Sequence, residues 1–196
     1  SKQIAEAVKT VISNCILTKG IKVDQLATFD IEYLFLNIRG KSVGETVDVL
    51  ITCPDDGKTQ VPVSINLDEI KINISEEHTK DIKLDSNLTL RMKYPSMREF
   101  IKTNFGNNFN MSVDDTFELI LSCIEQVYNQ DESWAASDCT QKELSDFIEQ
   151  LTSNQFKEVE KFFSTMPKLS HTLKIKNPNT EIESEVLLEG LSSFFA

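Results

Sequence analysis

The residues of this chain best suited to chemistry are two histidines, four cysteines and three adjacent pairs of like acids, and their spacing decides what they could do. An imidazole can move a proton near neutral pH, and several together can hold a transition metal. His78 and His171 belong to no metal-ligand spacing, so each reads as a surface or strand histidine. Cys15, Cys53, Cys123 and Cys139 form no Cys-x-x-Cys pair, which writes neither a zinc knuckle nor a redox dithiol; free, mostly buried thiols are expected. Asp55-Asp56, Glu76-Glu77 and Asp114-Asp115 could serve as metal or acid/base pairs. The first, however, sits in a Pro-Asp-Asp-Gly turn, the second in a polar connection and the third at a helix start, all places that favour carboxylates for local reasons. No phosphate-cradling glycine motif, nucleophile elbow or EF-hand spacing occurs. No catalytic, cofactor-binding or metal-binding residue is nominated, and the chain is expected not to be an enzyme.

Composition narrows the partners. The 196 residues are 40% hydrophobic and 26% charged, with a formal charge of −11 that repels a phosphate backbone. Nucleic acid is disfavoured as a partner, and a basic protein surface is favoured. No stretch approaches the run of about 20 apolar residues that spans a bilayer, and the first residues lack the apolar core of a signal peptide. No membrane partner is expected, and the chain is expected to be cytoplasmic at synthesis.

The elements that would position any site follow from hydrophobic period. Ile4, Val8, Val11, Ile12 and Ile16 recur at helical spacing up to Gly20. A second helix is expected after Asp24 as N-cap, apolar around most of its circumference and therefore near the middle of the fold; a buried strand over 31–38 is the alternative. From 45 to 94 the period becomes two, which predicts one antiparallel sheet, with a hairpin at Pro54-Asp55-Asp56-Gly57 and a free edge at Pro62. After Tyr94-Pro95 the helical period returns. Ser96-Met97-Arg98-Glu99 and Thr140-Gln141-Lys142-Glu143 read as capping boxes, and Val113, Phe117, Ile120, Leu121, Ile124 and Tyr128 read as one helical stripe. Two further stripes are Leu144, Phe147, Ile148 and Leu151, then Phe156, Val159, Phe163 and Met166. Loops are expected at 104–110 and 129–138. Around Asn177-Pro178-Asn179-Thr180, a lysine-bearing and a glutamate-bearing run predict a terminal hairpin, followed by a short helix.

Aromatic residues depart most from an ordinary composition: ten of twelve Phe lie from 100 onward, with doublets at Phe162-Phe163 and Phe194-Phe195. A helix cannot turn two neighbours to one face, so one member of each doublet should lie off the main stripe. Such a residue either anchors a partner or is buried between two elements of a layered fold. The apolar end, Leu187 to Ala196, must likewise be covered, by its own core or by another subunit. Arg39, Phe162, Leu191, Phe194 and Phe195 are the candidate partner contacts.

Four blocks give the chain a resemblance to a known family. They are Phe29-Asp30-Ile31-Glu32-Tyr33-Leu34-Phe35-Leu36-Asn37-Ile38-Arg39-Gly40-Lys41-Ser42-Val43-Gly44-Glu45, Met92-Lys93-Tyr94-Pro95-Ser96, the run from Phe162 to Leu169, and the run from Leu188 to Phe195. Together they resemble the phage T4-type baseplate hub assembly protein family over nearly the whole length. The resemblance implies a contractile-tail protein needed to build the baseplate central hub, with hub and tail proteins as partners, the tape-measure protein among the candidates, and no enzymatic activity. An assembly chaperone and a permanent virion subunit both fit it, and self-association stays open. A hydrolase acting in the hub is disfavoured by the missing constellations. Arg39 reads either as part of a helix-to-strand junction or as the anchor of a partner-binding elbow.

The expected fold is α+β: a helical segment over 1–44, an antiparallel sheet over 45–95, a helical region over 96–167, and a hairpin with a terminal helix over 168–196.

Overall fold

The computed structural model describes residues 2–97 and 113–194. The expected capping box at 96–99, the loop at 104–110 and Phe195 lie outside the described residues in whole or in part. The chain forms an α+β fold in two compact units. Unit 1 is Ser1–Glu6, Asp24–Thr28 and Ile74–Met166; unit 2 is Ala7–Val23, Phe29–Asn73 and Pro167–Ala196.

Helix α1 (Lys2–Cys15) buries Val8 and Ile12, while Val11 stays partly exposed, so the apolar stripe is narrower than the sequence suggests. Asp24 does not cap a helix. It sits in a 3₁₀ turn at Val23–Gln25, and α2 (Thr28–Ser42) starts later, with Asp30 in its first turn and Arg39 and Lys41 in its last, as the helix dipole favours. The helix reading of 31–38 holds over the strand alternative. The helix is nonetheless sunk only on one side: Ile31, Glu32 and Leu36 are buried and Tyr33 faces solvent.

Unit 2 is built on two sheets. Strands β1 (Thr46–Thr52) and β2 (Gln60–Asn66) pair as the expected hairpin, with Val49 opposite Val63 and Leu50 opposite Pro62. Its turn needs Gly57 at φ +63°, a left-handed conformation that glycine adopts without strain. Strands β3 (Lys71–Asn73), β8 (Lys168–Lys176) and β9 (Glu183–Glu189) form the second sheet in that order. Every second residue of both hairpins turns inward, and Val49, Ile51, Ile65, Leu169, Leu173 and Leu188 join Leu36 and Phe194 in one core.

Unit 1 holds an antiparallel meander, β4 (Asp81–Lys83), β5 (Thr89–Met92), β6 (Ile124–Tyr128) and β7 (Ser133–Ala135), with helices α3 (Val113–Ser122), α4 (Gln141–Glu149) and α5 (Ser153–Thr165). Ile82, Leu90, Met92, Ile120, Ile124, Ile148, Val159 and Phe162 make its core. Opposite charges reinforce the pairing: Asp81 lies across from Arg91, whose Nε and Nη2 donate to its two carboxylate oxygens at 2.6 and 2.9 Å.

Three sequence expectations are corrected here. The strands of 45–94 do not share one sheet but fall into three, because alternation tells a strand which face to bury and not which neighbour to pair with. The stripe from Val113 to Tyr128 is a helix only to Ser122; Ile124–Tyr128 is a strand held between β5 and β7, where two ladders outweigh local period. The segment 129–138 is not simply a loop, since it contains β7 and a 3₁₀ turn at Ala136–Asp138. The capping box before α4 forms as expected: Glu143 N–H donates to Thr140 Oγ1 (3.2 Å) and Thr140 N–H to Glu143 Oε2 (2.7 Å). Thr152 and Gln155 make a second box at the start of α5, with glutamine in the place of the usual glutamate.

Candidate docking surfaces

The apolar C-terminal run is held from inside unit 2 as far as Phe194, the last described residue. After β9, Gly190 turns at φ +72° and donates to Leu169 O (2.9 Å). Leu191 N–H then donates to Glu32 Oε1 at 3.3 Å. Glu32 is a carboxylate on a buried face of α2, and burial pushes its pKa up while the Leu191 N–H works against that rise. The 3₁₀ turn Leu191–Phe194 places Phe194 in the core at 0% exposure, with Leu191 packed half-buried on the same cluster. Phe194 is therefore buried within the core of its own unit.

The other doublet behaves alike. Phe162, at 2% exposure, is the core member of α5 beside Val159, and Phe163 flanks it; the expected stripe through Phe163 is shifted by one residue. The Phe162 ring stacks on Tyr94 (centroids 5.7 Å apart) and meets Phe163 edge-on at 5.1 Å. Arg39 lies half-buried in the last turn of α2, where Ser42 Oγ donates to Ile38 O and Val43 N–H to Arg39 O before the chain enters β1. That geometry is the helix-to-strand junction of the junction reading. Beside it, Lys41 bonds Glu45 at 3.0 Å, and this carboxylate together with Asp68 holds its pKa up.

Two polar knots join distant parts of the chain. In unit 2 the tips of the two hairpins are tied together. Asn177, 1% exposed, donates from Nδ2 to Asp55 Oδ1 (3.1 Å) and Oδ2 (3.0 Å), and Thr180 Oγ1 donates to Asp55 Oδ2 at 2.5 Å. These bonds hold the Asp55 carboxyl below its ordinary value. Asp56 does the local work expected of the pair, accepting from Lys58 N–H, Thr59 N–H and Thr59 Oγ1. In unit 1, His78 is bonded at both ring nitrogens, Nδ1 to Thr165 Oγ1 and Nε2 to the Tyr94 hydroxyl, each at 3.0 Å. Thr165 Oγ1 spends its proton on Lys161 O (2.6 Å), so it accepts from His78 Nδ1–H, and Tyr94 donates to Nε2. Burial pushes the His78 pKa down, and the Lys80 ammonium adds to that.

Among the described residues, no group of three or more His, Cys, Asp or Glu is placed to hold a metal ion. A groove of about 400 Å³ in unit 1 is lined by Glu77, Asp81, Glu158 and Lys161, but Glu77 is committed to Lys161 (2.8 Å) and Asp81 to Arg91. A second groove, about 530 Å³, is lined by Lys93, Ser122, Glu125, Gln126 and Leu144 with small residues at 135–137. No helix among the described residues is long and apolar enough to cross a membrane.

What the surface offers instead is strand edge and exposed apolar side chain. In the first hairpin, Cys53 N–H donates to Thr59 O and Leu67 N–H to Glu45 O, which places the odd-numbered residues of β1 in the bonded pairs. Pro62 consequently turns its nitrogen outward, and the outer edge of β2 is blunted there, as Pro at an edge does. Leu50 and Leu187 stand 63% and 56% exposed on the outer faces of β1 and β9. Sequence reasoning found the lysine and glutamate rows of the terminal hairpin but missed Glu32, Asn177 and the knot at Asp55. The turn chemistry of Asn177-Pro178-Asn179-Thr180 signalled a turn and carried no sign of its distant partner.

A family model described as T4 bacteriophage base plate protein matches the chain over residues 1–196. No curated protein matches, and no solved structure matches.

Proposed function

We propose that this chain, which belongs to the T4 bacteriophage base plate protein family and is a phage baseplate protein, is a non-enzymatic factor in assembly of the baseplate central hub. In this reading it works by protein contacts in the host cytoplasm, escorting or templating a hub or tape-measure protein. The observation that carries it is the unpaired outer edge of β9 together with the outward leucines of unit 2, Leu50 and Leu187, which suit recognition of another chain. Arg39 and Leu191, each half-buried, remain proposed contacts at the rim of that unit. Phe162 and Phe194 support it indirectly, by fixing α5 and the terminal turn in place.

Co-expression of the tagged chain with hub and tape-measure proteins, followed by mass spectrometry of what co-purifies, tests the reading. Recovery with assembly intermediates and loss from mature tails is expected. Stoichiometric presence in purified mature tails would replace it with a permanent structural subunit.

A further inference from the structure

We propose that the outer edge of β9 docks an extended segment of a partner protein that carries basic residues at alternate positions. The inference rests on the docking reading above only in taking a strand edge of unit 2 as the contact surface.

The edge is defined by backbone geometry. Asn177 N–H donates to Ile182 O and Gly190 N–H to Leu169 O, both at 2.9 Å, at the two ends of the β8–β9 ladder. With the register between them, the residues of β9 that exchange bonds with β8 are Ser184, Val186 and Leu188. The N–H and C=O groups of Glu183, Glu185 and Leu187 therefore point away from β8, and among the described residues no backbone group pairs with them. Ser193 Oγ donates to Glu189 O at 2.6 Å and closes the edge at that end.

Strand β8 already shows what neighbour this row accepts. Lys176 lies opposite Glu183, Lys174 opposite Glu185 and Thr172 opposite Leu187, and Lys174 Nζ stands 3.4 Å from Glu185 Oε1. An antiparallel strand on the outer side would face the same three side chains. It would set an apolar residue against Leu187 and then, at alternate positions, two basic residues against Glu185 and Glu183. A second β9 does not fit. Antiparallel self-pairing centred on Glu185, Val186 or Leu187 sets Glu185 against itself, Glu183 against Glu189, or Glu185 against Glu189, and like charges directly opposite are unfavourable. The glutamate row thus rejects a copy of itself and selects a basic strand, and the net charge of −11 steers such a segment in. The edge of β2, by contrast, is closed to strand addition at Pro62.

The test is titration of the ¹⁵N-labelled full chain with a capped synthetic peptide, Val-Val-Lys-Val-Lys-Val, and with its glutamate counterpart. Saturable amide shifts at 183–187 are expected for the lysine peptide, weakened by salt, with affinity about tenfold above the glutamate peptide. Glu183→Gln with Glu185→Gln should lower that affinity about fivefold. Leu187→Pro, which removes an outward N–H as Pro62 does in β2, should abolish it. If circular dichroism shows that Leu187→Pro fails to fold, the double glutamine variant and the wild-type shift map decide. Equal binding of both peptides, shifts centred elsewhere, or no saturable change at 183–187 at millimolar peptide would overturn the proposal. Failure of hub co-purification with peptide binding intact would instead overturn the hub role and leave this edge assignment standing.

Discussion

Asn177 and His78 do the same structural job in different units, with opposite sensitivity to the medium. Each stitches segments far apart in sequence: Asn177 reaches Asp55 across 122 residues, and His78 reaches Thr165 across 87. Asn177 is a buried amide that does not titrate, bonded to a carboxylate whose pKa is depressed. His78 is half-buried, and its burial and the Lys80 ammonium favour the neutral ring, in which Nε2 accepts from Tyr94. The difference teaches that one knot is built to ignore mild acid and the other to feel it.

The largest effect is expected from cutting the first knot. Asn177→Ala removes bonds to a carboxylate and should lower stability by about 2 to 3 kcal/mol in urea unfolding, with loss of amide protection in β1–β2 and β8–β9. A loss below about 0.5 kcal/mol would mean that the hairpin tips are held by packing alone. Next in size, His78→Ala should cost about 1 to 2 kcal/mol and raise exchange at β4 and the end of α5.

The pH dependence separates the two knots. A base whose pKa is lowered on folding contributes stability that is complete above its ordinary value of 6.5 and is lost as pH falls from there toward its folded value. A carboxylate whose pKa is lowered loses its contribution only as pH falls from 3.8. Amide protection near His78 should therefore drop as pH falls below 6.5 while that around Asn177 holds until the pH approaches 3.8, and His78→Ala should flatten the first change. A smaller effect, about 1 kcal/mol, is expected of Thr165→Val, which leaves Nδ1–H without its acceptor. The smallest belongs to Lys174→Ala on the exposed face of β8, at most about 0.5 kcal/mol and vanishing in high salt.

The residues also show what a sequence can reveal. The β1–β2 and β8–β9 hairpins, the cap at Thr140 and the blunted edge at Pro62 were all legible, because each rests on neighbours within a few residues. The break at Ser122 was not: Ile124 and Tyr128 keep helical spacing from Ile120, and only the strands on either side of β6 override it. The site divides in the same way. Glutamates facing lysines across the terminal hairpin could be read directly, whereas Asn177 and Glu32 have roles set by partners more than a hundred residues away. The Phe doublets leave anchor and core as alternatives in the sequence, and Phe162 and Phe194 are both buried in the fold.

The pairing of β3 with β8 sets a timetable. Asn73 bonds Ser170 across 97 residues, so at a synthesis rate of about 5 to 20 residues per second the first hairpin waits roughly 5 to 20 s for its covering sheet. Through that interval the inner faces of β1 and β2, with Val49, Ile51 and Ile65, have no partner from β8 or β9. Nascent chains crowded on one message would meet each other in that state, and the vulnerable period of this protein falls during its translation.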